Sequence, residues 1–228
     1  LKLAIMQPYL FPYLGYFQLM HAVDSFVVYD DVNFIKGGWI NRNNILCNGN
    51  RQLITLPLLA ASPNKLINQI EISSQHKILQ SIQQNYRKAP HFESIYPLLE
   101  SILRYESRNL ADFLDFQLRS ICAQLDLRPK WHTSSALGKN CELRGQDKVL
   151  AICEQLGATE YINLPGGKVL YGPQAFASHG LKLSFIEPRA VSYQQFGNGF
   201  LPNLSIIDVM MFNDKEQCAK LLQEYDLG

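Results

Sequence analysis

The chain has 228 residues, with 21 Lys and Arg against 20 Asp and Glu, a formal net charge of +1. That balance gives no bulk electrostatic case for nucleic acid or for a membrane surface. Hydrophobic content of 47% with 18% charged residues describes an ordered chain, and the length fits one integrated domain over 1–228.

Leu3 to Met6 is a short apolar run ended by Gln7-Pro8 and predicts a buried strand. Pro8 to Pro12 is a loop holding Tyr9, Leu10 and Phe11. Leu14 to Val23 predicts a short helix, and Ser25 to Tyr29, rich in β-branched and aromatic residues, a second strand. Strand, helix and strand so closely spaced form a candidate βαβ unit, which implies neighbouring parallel strands. Asp30 and Asp31 close the second strand at its carboxyl end, where ligands bind in open α/β sheets. A loop with Lys36, Gly37, Gly38, Trp39, Arg42 and Asn43 follows. Asn48-Gly49 predicts a hairpin turn joining Asn44–Cys47 to Arg51–Leu59, and Ile67–Ile72 reads as another strand.

Residues 75–126 read as a helical insertion. Ile78, Leu79, Ile82 and Tyr86 recur at helical spacing in the first helix. Ile95, Leu98, Leu99, Ile102 and Leu103 do so in the second, with Pro97 expected in its first turn, and Leu110, Phe113, Leu114, Leu118, Ile121 and Leu125 in the third. Either a cap or helices packed on the sheet satisfies this pattern. Arg128–Ser135 returns to extended structure. Asp147–Leu156 predicts a helix, Glu160–Asn163 a strand, Pro173–Ser178 a helix and Leu181–Ile186 a strand. Leu204–Phe212 and Lys215–Tyr225 predict the last two helices. No internal repeat interrupts the chain. The fold expected is α/β, a Rossmann-like, mainly parallel sheet with a helical insertion.

The five cysteines, Cys47, Cys122, Cys141, Cys153 and Cys218, are odd in number and lack CxxC spacing. A disulfide framework or zinc site is not expected, and reduced thiols suit a cytoplasmic location. No apolar run approaches the roughly 18 residues of a membrane span, and the first residues carry no signal-like region, so no membrane insertion is expected.

The opening stretch concentrates the candidate chemistry. A strand ending in a tight loop that enters a helix can hold an anion on the free helix N–H groups. Gln7, Tyr9, Gly15 and Tyr16 are candidate ligand-binding residues there, and Gly15 would permit close approach. Asp30 and Asp31 are candidates to orient an amine or hydroxyl or to bind a metal, and Lys36 and Arg42 to stabilise phosphate or carboxylate. Trp39 and Asn43 complete the loop. The plainer alternatives are a proline-stiffened loop, turn-capping acids and a solvated basic face. Later in the chain, Gln194 and Asp208 are candidates, and Ser205 reads as a helix cap. The five histidines (His21, His76, His91, His132 and His179) form no metal spacing, though His21 and His132 lie near the candidate segments. Cys141 is a loop thiol with no visible activating partner. Neither GxGxxG nor GxxxxGK[ST] occurs, and the sequence names no cofactor.

The segments QPYLFPYLGYFQL, DSFVVYDDVNFIKGGWINRN, YINLPGGKVLY and FLPNLSIIDVMMFN resemble the WbqC-like family over nearly the whole chain. That resemblance implies a role in O-antigen or other surface-polysaccharide biosynthesis. The motif positions are Gln7, Pro8, Pro12, Gly15, Tyr16, Asp30, Asp31, Lys36, Trp39, Arg42, Asn43, Gln194, Ser205 and Asp208. The opening is also similar, more loosely, to nucleotidylyltransferases with an HxGH motif. Here Tyr13-Leu14-Gly15-Tyr16 keeps the glycine, with tyrosines in place of both histidines. The function expected is a transferase acting on an activated small molecule, a nucleotide-sugar or an acyl or aminoacyl donor. The alternative is a non-catalytic ligand-binding or scaffold protein of the same pathway. No nucleic-acid partner is expected.

Overall fold

Alternation along the first two strands sets the layers. The computed structural model describes residues 1–139, 142–197 and 199–228. β1 (Lys2–Met6) and β2 (Ser25–Val28) pair in parallel, with Leu3 opposite Ser25 and Met6 opposite Val28. Successive strand side chains face opposite sides. Leu3, Ile5 and Val27 therefore enter one hydrophobic cluster, and Ala4, Phe26 and Val28 another. Between the strands runs α1 (Leu14–His21), buried from Leu14 to Met20. A helix enclosed on all sides needs no polar stripe. The expected βαβ unit is thus present.

After β2 comes a hairpin of β3 (Arg42–Cys47) and β4 (Asn50–Thr55). It turns at Asn48-Gly49, where both residues have positive φ, 48° and 76°. Asparagine and glycine tolerate that backbone best. β5 (Leu58–Leu59) pairs with β6 (Glu71–Ile72). The strand expected over 67–72 is therefore only its last two residues. Ile67–Gln69 turns as a short 3-10 helix because the Gln69 side chain reaches back to accept from the Leu66 N–H at 3.0 Å.

Three helices follow: α2 (His76–Tyr86), α3 (Phe92–Leu103) and α4 (Leu110–Gln124). Asn109 caps α4, its side chain accepting from Ala111 N at 2.9 Å and Asp112 N at 3.2 Å. Pro97 sits inside α3 and not in its first turn, because the helix starts at Phe92. The residue is exposed, so the carbonyl that loses its N–H partner can meet water. Ile82, Leu99 and Leu114 share one core with Phe17 of α1, so these helices do not stand apart from the sheet.

The chain then returns to the sheet through β7 (Lys130–Thr133), parallel to β2. α5 (Gly145–Gln155) leads to β8 (Glu160–Asn163), parallel to β1 on its other side. α6 (Pro173–Ser178) leads to β9 (Lys182–Pro188), parallel to β8. α5 and α6 cover the Leu3 and Ile5 face through Val149, Ile152 and Phe176. α7 (Ile206–Phe212) and α8 (Lys215–Leu221) close the chain with β10 (Tyr225–Leu227), which runs antiparallel to β9. The last helix was expected to reach Tyr225. It stops at Leu221, and Tyr225 to Leu227 pair with Pro188 to Ile186 instead.

The fold is mixed α/β with a mostly parallel central sheet in the order β10-β9-β8-β1-β2-β7. The chain leaves β1 toward β2 and β7, then crosses back to β8 and β9. The carboxyl ends of β1 and β8 are therefore where connections diverge, and such a divergence opens a crevice. Among the described residues no helix is long and apolar enough to cross a membrane.

Candidate functional site

The loop after β1 is held by side chains from three distant segments. Phe11 has a φ of 40° and is fully buried. A bulky residue holds that left-handed backbone only when its surroundings enforce it. Asn43 donates to Leu10 O at 3.1 Å and to Phe11 O at 2.7 Å. Gln117 of α4 accepts from Phe11 N at 2.9 Å and donates to Tyr9 O at 3.1 Å. Ser205, which caps α7, donates to Phe11 O at 2.8 Å. Ser205 thus combines the expected helix cap with a second task. Tyr16 is fully buried, and its hydroxyl donates to Gln7 O at 2.8 Å. Tyr16 therefore closes the loop from within. The half-buried Gln7 side chain makes no hydrogen bond among the described residues.

This fixed loop forms one wall of a cavity of about 450 Å³ at the carboxyl ends of β1 and β8. Tyr9, Pro12, Tyr13, Trp39 and Asn43 line it from the first half of the chain, and Pro165, Gly166, Pro188 and Asn203 from the second. No charged side chain lines it among the described residues. Trp39 is 48% exposed, with the Arg42 guanidinium 5.7 Å from its ring centre. Arg42 itself donates from Nε to Gly38 O at 2.9 Å and from one terminal nitrogen to Gly37 O, so two of its three nitrogens are turned to its own loop. Lys36 is exposed and makes no ion pair among the described residues. Gly15 lies in the first turn of α1, beneath the Tyr13 ring.

Asp30 and Asp31 turn to different partners. Asp30 is buried and accepts from Ser135 N at 2.9 Å, Ser135 Oγ at 2.5 Å and Asn68 Nδ2 at 3.1 Å. Asp31 accepts from Ser134 Oγ at 2.5 Å and pairs with Lys139 at 2.9 Å and Lys148 at 3.0 Å. Lys148 also donates to Asp31 O at 2.7 Å and stands 5.0 Å from the centre of the Tyr29 ring. Burial works to raise the Asp31 carboxyl, but Ser134 and the two lysines outweigh it and hold it below the ordinary aspartate value. The pair of acids thus ties the end of β2 to the end of β7 and to α5. Neither acid lines the cavity, and Asp31 and Arg42 do not converge on one point.

With this geometry in view, comparison with known proteins decides the family. The WbqC-like protein family matches residues 7–220. The chain belongs to the WbqC-like protein family. Over 224 residues, 93% of each chain, it is 29% identical to Uncharacterized protein Rv1507c of Mycobacterium tuberculosis. No solved structure matches it.

Two further motif positions of this WbqC-like chain lie elsewhere. Asp208 is fully buried in α7, accepting from Tyr86 at 2.9 Å, Tyr193 at 2.7 Å and Gln195 at 2.6 Å. Burial raises its carboxyl against the opposing pull of those three donors. Gln194 is exposed and donates to Gln195 O at 2.9 Å and Gly197 O at 3.2 Å. His21 contacts the Tyr225 hydroxyl at 3.1 Å. His132 lies on β7 opposite Val27, its imidazole lowered by burial and then by Lys130. Among the described residues no group of three or more His, Cys, Asp or Glu side chains gathers to hold a metal. Cys141 lies outside the described residues.

Sequence reading passed over Lys139, Lys148, Asn68 and Gln117. Lys148 carried a signal: it interrupts the buried face of a helix beside Val149 and Ile152, and a buried lysine demands an acidic partner. Gln117 sits likewise among the apolar positions of α4.

Proposed function

We propose that this chain is a transferase that holds an activated small molecule, a nucleotide-sugar first among them, at the carboxyl ends of β1 and β8. Its setting is O-antigen or other surface-polysaccharide biosynthesis, and it works in the cytoplasm as one Rossmann-like domain with a helical insertion. The observation that carries this reading is the uncharged cavity walled by Tyr9, Tyr13 and Trp39 where the strand order reverses. Aromatic faces suit the flat side of a sugar ring or a base, and a few amides suit hydroxyls. Asn203 is the amide in the wall that can meet the ligand, since Asn43 is committed to the loop. Lys36, exposed on the loop that carries Trp39 and without an ion pair among the described residues, is a cation available to a donor phosphate. The resemblance to the WbqC-like family is what suggests the surface-polysaccharide setting.

The enclosed acids favour a second reading, a non-catalytic binding or scaffold protein of the same pathway. Asp30, Asp31, Arg42 and Asp208 are all engaged by other parts of the chain, and among the described residues no acid or base lines the cavity. Thermal shift of the full chain with UDP-glucose, UDP and acetyl-CoA separates the cases, followed by product analysis with any ligand that binds. A raised melting temperature with UDP-glucose and turnover of the donor is expected for the transferase. Binding without turnover, even with a sugar acceptor present, selects the scaffold. No shift with any of the three removes the cavity as a donor site.

A further inference from the structure

A second cavity, of about 340 Å³, lies between the first turns of α1 and the 188–204 segment. Tyr13, Pro188 and Asn203 belong to the walls of both cavities, so the two lie side by side with Tyr13 in their common wall. We infer that this second cavity is a distinct ligand subsite that takes a short, uncharged aliphatic group bearing an N–H or O–H donor. The inference rests on the reading of the first cavity as a substrate site and names where a second substrate would lie.

The walls set the ligand's chemistry. Leu14, Val191, Phe200, Leu204 and Val209 make most of the lining apolar. Arg189 is the cationic side chain in it, and both ends of its guanidinium face carboxylates: Nε donates to Asp226 at 3.0 Å, and Glu224 lies 3.6 Å away. A bound carboxylate or phosphate would compete with two acids already in place, which disfavours an anion. Gln18 supplies the polar requirement. It lines the cavity and is 1% exposed. Its Nε2 donates to Leu221 O at 2.8 Å and to Glu224 O at 3.0 Å, which fixes the orientation of the amide. Its Oε1 is buried and has no hydrogen-bond partner. Buried acceptors are rarely left without a donor. A ligand N–H or O–H that displaces the lining over Gln18 would supply one.

Gly15 fixes the boundary. Its missing side chain lets the Tyr13 ring lie against α1. A transferase gains most of its advantage by holding two reactants side by side, and two cavities with Tyr13 in their common wall provide that adjacency. Burial raises the Tyr13 phenol, so it stays protonated at neutral pH and can only donate or accept as a neutral hydroxyl.

NMR of the full, isotopically labelled chain tests the inference, with butyramide as probe and butyrate as its anionic counterpart. Butyramide is expected to give saturable shifts at the Gly15 amide and the Gln18 side-chain amide, with butyrate binding at least tenfold more weakly. Ala190 is exposed on the rim of this cavity, so Ala190→Trp fills the cavity without disturbing the core, and should weaken butyramide at least tenfold. No saturation, equal binding of butyrate, or binding unchanged by Ala190→Trp overturns the subsite. The first cavity has its own reporter, the Trp39 indole titrated with UDP-glucose. Loss of that response overturns the first reading alone, and loss of the butyramide response overturns the second alone.

Discussion

A methyl group at Gly15 would stand 2.5 Å from the ring of Tyr13. That distance is inside van der Waals contact, so the ring can occupy its place only over a glycine. Tyr13 in turn lines both cavities, and its backbone bridges to Ser205 at the start of α7. Gly15 therefore shapes a wall.

Gly15→Ala should push the Tyr13 ring out and cost roughly 1–3 kcal/mol, the usual range for overpacking. UDP-glucose affinity should fall about tenfold with it. Urea denaturation and calorimetric titration read the two effects. Unchanged stability together with unchanged affinity would show that the ring is free to move.

Trp39→Ala separates binding from folding. The indole is 48% exposed, so its loss should change stability by less than about 1 kcal/mol. An aromatic platform contributes on the order of 1–2 kcal/mol to a stacked ligand, about a tenfold loss of affinity. Thermal melts of the variant with and without UDP-glucose check both halves.

Asp31 predicts an acid-sensitive latch. Its folded value is depressed, so its contribution to stability is fully present above the unfolded value near ~4 and is lost as pH falls through the lower folded value. The stability gap between the parent chain and Asp31→Asn should be widest at neutral pH and shrink as pH drops below about 4. A gap that stays constant down to pH 3 would rule out the Asp31 charge, held by Ser134 and the two lysines, as its cause.

Asp208→Ala should lower stability by on the order of 3 kcal/mol, because it strands the Tyr86 and Tyr193 hydroxyls and the Gln195 amide in a buried site. Tyr193→Phe removes one donor and should cost less than half as much, whereas Tyr86→Phe would also strand the buried Leu46 N–H that donates to the Tyr86 hydroxyl at 2.8 Å. Denaturant midpoints of Asp208→Ala and Tyr193→Phe make the comparison.

Most of the frame was legible from periodicity and caps. Glu160–Asn163 and Pro173–Ser178 form at the predicted bounds, Ser205 caps α7, and the βαβ opening is parallel. Local signals failed where distant contacts decided. Tyr225 pairs with Pro188 across the sheet edge, and nothing in its neighbourhood announces a strand. Residues that share a pattern also part in space. Asp31 and Arg42 lie in one charged stretch, yet Asp31 reaches back to Lys139 and Lys148, whereas Arg42 folds onto Gly37 and Gly38. Charge in a sequence says that a partner is needed, and only the tertiary fold says whether that partner is a ligand or the protein itself. The cavity wall escaped notice for the same reason. Pro165, Pro188 and Asn203 become neighbours of Tyr9 and Trp39 only when β8 and β9 take their places beside β1.

The central claim is that the uncharged, aromatic cavity at the ends of β1 and β8 holds the donor by its ring. Calorimetric titration of UDP-glucose into the full chain, its Trp39→Ala variant and its Lys36→Ala variant tests it most directly. The account predicts measurable binding, a loss of about tenfold with Trp39→Ala and a smaller, salt-dependent loss with Lys36→Ala. Binding that survives Trp39→Ala intact, or that inorganic phosphate displaces as well as UDP-glucose does, would contradict it.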